Sequence, residues 1–129
     1  PFIGQEVIRH TMDEVQKKHA CIAAVPVKDT IKKVDENGKV EDTPPRKSLY
    51  TVQTPQAFSY SLIYDSYQKL IADGREDVTD DAMVVEAYGK VPVYVIDGSY
   101  RNFKITTPED LEMAEFMLNE GNPGKGVCS

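Results

Sequence analysis

The sequence predicts an α/β layer fold in which helices flank a mainly parallel sheet. Three observations point there. Segments with apolar residues at helical spacing alternate with short apolar runs rich in β-branched residues. One of those runs, ACIAAVPV (20–27), is apolar without interruption, as a strand covered on both faces must be. No internal repeat cuts across this alternation.

The first element is a helix over 4–18, where Val7, Ile8, Thr11, Met12 and Val15 recur at helical spacing. ACIAAVPV follows as the buried strand. Residues 29–46, DTIKKVDENGKVEDTPPR, carry Asn37-Gly38 at their centre. Asn-Gly is the strongest short-range signal for a type I′ hairpin, because both central residues then take positive φ. A two-residue turn there sets Glu36 opposite Lys39 and Lys33 opposite Asp42, two attractive cross-strand pairs. The apolar residues of this ribbon are few: Ile31, Val34 and Val40. A lone two-stranded ribbon is marginal in water, so it is expected to rest on another surface, of this domain or of a second subunit.

LYTVQTPQAF (49–58) reads as a strand running into a proline-marked loop. SYSLIYDSYQKLIADG (59–74) reads as a helix with Ile63, Tyr67, Leu70 and Ile71 on one stripe and Gly74 at its end. DDAMVVEAYG (80–89) is a shorter helix, again ended by glycine, and VPVYVI (91–96) is a strand. TPEDLEMAEFMLNEG (107–121) is a helix with an unusually complete start. Thr107 stands at the N-cap, Pro108 at the first helical position and Asp110 at the third, a capping box with Asp in place of Glu. The last segment, GNPGKGVCS, is expected to be disordered, so 1–118 is the folded part and 119–129 a flexible tail.

Composition excludes several classes. A chain of 129 residues is about one domain, with 40% apolar and 28% charged residues, ordinary for a globular protein. No apolar run approaches the roughly 20 residues of a membrane helix, and no secretory signal is present. A net charge of −6 argues against nucleic-acid binding, although 15 Lys and Arg leave room for a local anion site. Cys21 in an apolar run and Cys128 in the tail form neither a disulfide framework nor a metal spacing, which suits a reducing, cytoplasmic setting. The chain opens on Pro1 rather than Met, as a processed or truncated product would.

Several loops pair a hydroxyl with a basic residue near a strand end: KDT (28–30), PPRKS (44–48), QTP (53–55) and NFKITT (102–107). In open α/β sheets, ligands bind beyond the carboxyl ends of strands, and helix N-termini suit phosphate. Arg46 and Lys104 are therefore candidate phosphate ligands, with Thr30, Thr54 and Thr79 supplying neutral hydrogen bonds. Each also has a simpler reading. A threonine ahead of a helix is more often a cap, and a loop lysine or arginine more often solvated surface. Asp80 and Asp81 of VTDDAM fit a first helical turn, with Thr79 as cap, better than a metal site. His10 and His19, nine apart beside the polar side of the first helix, make no metal or catalytic pair. Singly, none of these signals identifies an enzyme.

As an ordered set, AVPVKDTIKKV, R-x-x-LYTVQTPQAF, VTDDAMVVEAYG and NFKITTPEDLEMAE closely resemble the C-terminal half of the 2-C-methyl-D-erythritol 4-phosphate cytidylyltransferases. The resemblance runs from residue 1 to about 118, and the opening Pro1-Phe2 resembles the segment after that family's Asp-Ala-Ala-Arg motif. It implies the C-terminal portion of a Rossmann-like nucleotidyltransferase layer fold with a projecting β-hairpin arm over 29–48. It implies a transferase of the non-mevalonate isoprenoid pathway, in which an oxygen of the alcohol phosphate attacks the α-phosphorus of CTP and pyrophosphate leaves. On the same footing, Arg46 and Lys104 would position the methylerythritol phosphate, and Asp29, Thr30, Thr54 and Thr79 would line its pocket. The arm would exchange between two subunits of a homodimer, and Arg46 at its base would serve the partner's site.

The family's glycine-rich nucleotide loop, its other catalytic Lys and Arg and its Mg²⁺-engaging acidic residue match nothing in this chain. The Mg²⁺ that accompanies CTP is therefore expected to have its ligands elsewhere, and these 129 residues alone are expected to be inactive. Ribitol-5-phosphate cytidylyltransferases share QTPQ and IKITTP, which leaves ribitol phosphate as the alternative alcohol. The KDTIKKVDENGKV arm and VTDDA favour methylerythritol. The missing nucleotide loop also leaves a non-catalytic dimerisation or phosphate-binding module as a different reading.

Overall fold

Chain order sets the architecture, and the computed structural model describes residues 1–120 of it. Helix α1 (Gln5–Lys18) leads into β1 (Ala20–Pro26), then β2 (Lys33–Val34) and β3 (Val40–Asp42) form the arm. A 3-10 turn at Arg46–Ser48 precedes β4 (Tyr50–Phe58), α2 (Tyr60–Asp73), α3 (Asp81–Tyr88), β5 (Tyr94–Asp97) and α4 (Pro108–Glu120). Asn119 and Glu120, assigned to the tail by the sequence, lie in the last turn of α4; residues 121–129 of that tail lie outside the described residues.

The central strand is the uninterrupted apolar run. Every residue of β1 from Ala20 to Val25 is buried, and the strand lies between β4 and β5 in the order β4-β1-β5. Val7 and Val15 of α1 pack on Cys21, Ala23 and Ile96. Alternation along the strand turns Ile22 and Ala24 the other way, and α3, with Val84 and Val85 fully buried, also contacts β1. The central strand is thus covered on both faces, as its unbroken apolar run requires, while β5 leaves Tyr94, Val95 and Asp97 exposed.

The sheet is mixed rather than mainly parallel. β1 and β5 run parallel, but β1 and β4 are antiparallel. The reason lies in the connection. No α-helix separates β1 from β4, so the chain returns directly from the arm, whereas β5 arrives only after α2 and α3 have carried the chain across.

The apolar stripes narrow in the folded chain. On α1, Thr11 turns inward and bonds back to the Val7 carbonyl at 2.6 Å, while Met12 is 59% exposed. On α2, Leu70 and Ser66 are buried but Ile71 is 69% exposed. Cys21 is a free, buried thiol whose Sγ donates to the Thr11 carbonyl, and burial pushes its pKa up. It packs as a small apolar group.

The arm's turn differs from the predicted one. Gly38 alone has positive φ, at 81°, and its N–H donates to the Asp35 carbonyl at 3.1 Å. Glu36, Asn37 and Gly38 form a three-residue loop, a type I turn closed by a left-handed glycine. Asp35 explains the choice: its Oδ1 accepts from the N–H groups of Asn37 and Lys39, both at 2.9 Å, an arrangement a type I′ turn would not provide. Asp35 rather than Glu36 therefore faces Lys39. A bulge further along restores Lys33 opposite Asp42, although the Lys33 ammonium pairs with Glu41 at 3.5 Å.

Candidate functional site

The site begins with an irregularity in β4. Ile22 pairs with Gln56 and Ala24 with Val52, so Gln53, Thr54 and Pro55 together oppose Ala23 alone. Pro55, which has no N–H to give, is tolerated in this bulge, and the Thr54–Pro55 peptide is cis. The bulge lifts QTP out of the ladder. It forms one wall of a cleft of about 760 Å³ whose other walls are Thr79-Asp80 and the loop Asn102–Ile105, with Pro1 at the rim.

A polar network joins these walls. Gln53 Nε2 donates to the Ser99 carbonyl at 2.8 Å, and its Oε1 accepts from the Ser99 N–H at 3.2 Å. Such a two-point contact needs the backbone to come close. A Cβ on Gly98 would stand 2.4 Å from Gln53 Oε1 and 3.2 Å from the Ala24 carbonyl, so a side chain there would push Gln53 off its two-point contact. The buried Asn102 donates Nδ2 to the Thr54 carbonyl at 2.6 Å. On the third side, Gln56 donates to Asp80 Oδ2 at 3.3 Å and accepts from the Ala82 N–H at 3.3 Å.

Asp80, not Thr79, caps α3. Its Oδ1 accepts from the Met83 N–H at 2.8 Å, while Thr79 Oγ1 reaches only the Met83 sulfur at 3.9 Å. The extended backbone of Asp80 lets its short carboxylate fold over the first turn, with the helix dipole adding to the bond. Asp80→Ala is expected to destabilise the protein by about 0.5–2 kcal/mol, read as a lower urea midpoint at unchanged slope. An unchanged midpoint would return the capping role to Thr79.

Asp81 accepts a hydrogen bond from Tyr67 of α2, and that bond raises the Tyr67 pKa. Both carboxylates are thus engaged in holding α3. Among the described residues no three His, Cys, Asp or Glu side chains group to hold a metal ion.

The sequence-predicted site residues fall into two groups. Thr54, Thr79 and Lys104 line the cleft together. Lys104 is exposed, is the one lysine or arginine among the lining residues, and has no ion pair among the described residues. Its loop is braced by Phe103 stacked on Phe2 at 6.1 Å and by the capping box of α4. There Thr107 and Asp110 exchange bonds at 3.0 and 3.2 Å, and Asp110 also takes the Thr106 N–H, which holds its carboxyl below the usual range. Asp29, Thr30 and Arg46 are not in the cleft. They are exposed at the base of the arm, where Arg46 Nη1 donates to the Lys28 carbonyl at 2.7 Å.

Sequence reasoning overlooked Gln53, Gln56 and Asn102, whose amides tie the walls together. A signal was present: two glutamines flanking a Thr-Pro in a strand leave donor and acceptor groups that a buried ladder cannot satisfy.

Comparison with known proteins bears on the family and the fold. The sequence model of the family described as 2-C-methyl-D-erythritol 4-phosphate cytidylyltransferase matches residues 1–120. A protein of that name from Lachnoclostridium phytofermentans is 45% identical over 120 residues, covering 93% of this chain and 52% of the relative. Another, from Alkaliphilus oremlandii, is 46% identical over 125 residues, covering 97% and 52%. Among solved structures, the 4-diphosphocytidyl-2C-methyl-D-erythritol synthase of Anaerococcus prevotii superposes with a TM-score of 0.85 at 40% identity, covering 92% of this chain and 52% of that one. The cytidylyltransferase of Thermus thermophilus gives 0.80 at 32% identity, covering 91% and 56%. The chain spans about half the length of the curated relatives it matches.

Proposed function

The chain belongs to the 2-C-methyl-D-erythritol 4-phosphate cytidylyltransferase family, and on that premise we propose that it supplies the alcohol-phosphate half of an enzyme making CDP-methylerythritol and pyrophosphate from CTP and methylerythritol phosphate. The observation that carries this reading is the cleft itself. Three segments far apart in sequence, at Thr54, Thr79 and Lys104, meet around a space of about 760 Å³ with hydroxyls and one lysine for a polar anion.

In this reading a phosphate oxygen of the alcohol phosphate attacks the α-phosphorus of CTP, and the bond to the pyrophosphate oxygen breaks. The nucleophile is already an anion, so no base is required. The protein's part is to hold two mutually repelling phosphates in line. Lys104 offsets the charge that gathers between them, and Thr54 and Thr79 donate to the alcohol or its phosphate without adding charge. Arg46, Asp29 and Thr30 face the site from the base of the arm of a second subunit. The cytidine, the metal ion and the remaining cations are assigned to residues outside these 129.

The test uses the intact polypeptide, these residues joined to the half of the relatives' length that they do not span. Pyrophosphate release from CTP should depend on methylerythritol phosphate. Turnover with ribitol 5-phosphate alone would overturn the choice of alcohol, and release with neither would overturn the class.

A further inference from the structure

The loop after β5 reaches toward two places. Ser99 and Asn102 hold the cleft wall through Gln53 and Thr54. Tyr100, between them, is directed at the base of the arm. Its hydroxyl donates to the Pro26 carbonyl at 2.7 Å, and the Lys28 ammonium lies over its ring, 3.7 Å from the centroid. Pro26 is the last residue of β1, and beyond it the Val27 N–H still bonds to the Leu49 carbonyl at 3.1 Å. After Val27 the chain leaves the sheet. The Lys28 carbonyl is the group that accepts from Arg46 Nη1.

We infer that Tyr100 is a positioning residue for Arg46: it pins Pro26–Lys28 at two points, and the Lys28 carbonyl then orients the guanidinium. An arginine on an exposed arm has four side-chain torsions to settle, and one fixed acceptor removes much of that freedom. The acceptor is useful only if it is itself held. The strand ladder ends before Lys28, so the hold comes from the phenol on one side and the ring face on the other. Because the same loop continues to Lys104, the arm base and the cleft share one piece of backbone as a reference.

This inference rests on the reading of Arg46 as a ligand of the alcohol phosphate, and the experiment separates the two. In the intact enzyme, Tyr100→Phe keeps the ring and loses the hydroxyl, while Tyr100→Leu loses both contacts. Tyr100 is 48% exposed, so neither change opens the core. Tyr100→Phe should raise KM for methylerythritol phosphate by about 3- to 10-fold, the size one hydrogen bond supplies, with Tyr100→Leu larger. KM for CTP should stay unchanged. In an Arg46→Ala background neither Tyr100 change should add anything, because the group it orients is gone. Multiplying effects in that background, an equal shift in both KM values, or no shift from either Tyr100 change would overturn the inference. An unaffected KM in Arg46→Ala itself would instead overturn the reading of Arg46, and this inference with it.

Discussion

Lys104→Ala in the intact enzyme is expected to lower kcat by about 10²- to 10³-fold, the cost of removing one preorganised stabiliser of developing charge. The expectation follows from where the lysine sits. It is the one lysine or arginine lining the cleft, and it is exposed without an ion pair among the described residues. A lysine with so little structural employment should leave stability unchanged when removed. The loop around it is held by Phe103 on Phe2 and by Asn102 on the Thr54 carbonyl, none of which involves the ammonium. Lys104→Arg should recover only part of the rate, since a planar fork is not a point charge on the same stem. Unchanged turnover at unchanged melting temperature would reduce Lys104 to solvated surface.

The second expectation concerns composition of the site across subunits. Arg46→Ala alone should reduce kcat/KM for the alcohol phosphate by about 10- to 100-fold, the range for a charge-assisted phosphate contact. Arg46 lies at the arm base while Lys104 lies in the cleft, and the chain does not bring the two into one pocket. If each site takes Lys104 from one subunit and Arg46 from its partner, two weak variants should complement. A mixed dimer of Arg46→Ala with Lys104→Ala has one site with both residues and one with neither. Random mixing yields about half mixed dimers, so activity should recover to about a quarter of the unmutated enzyme's. Sites built within one subunit would show no recovery, since every site would then lack one residue.

Much of this was legible in the sequence because its signals are local. Unbroken burial of β1 follows from a run with no polar residue, and the start of α4 from Thr107, Pro108 and Asp110 within one four-residue stretch. Strand direction was not legible. Periodicity reports which faces are covered, but direction depends on whether an α-helix intervenes, and between β1 and β4 none does. The arm's turn misled for a related reason. Asn-Gly favours a type I′ turn, yet Asp35 two residues earlier captures the turn's N–H groups and shifts the loop by one residue. Arg46 and Lys104 both stood out as cations near strand ends; the residues alone did not separate them, and only the resemblance assigned Arg46 to the partner's site. The amides of Gln53, Gln56 and Asn102 act between segments, and a reading made one segment at a time passes over them.

The order β4-β1-β5 has a consequence for how the cleft comes into being during synthesis. β4 follows β1 with only the arm between them, so that ladder closes a shorter loop than β5, which must wait for two more helices. A nascent chain released from the ribosome as far as Asp97 already possesses Thr54 and Thr79, but it lacks Ser99 to seat Gln53 and Asn102 to seat Thr54. Its QTP bulge has nothing to lean on. The cleft is thus finished only with the residues that follow Asp97, Lys104 among them.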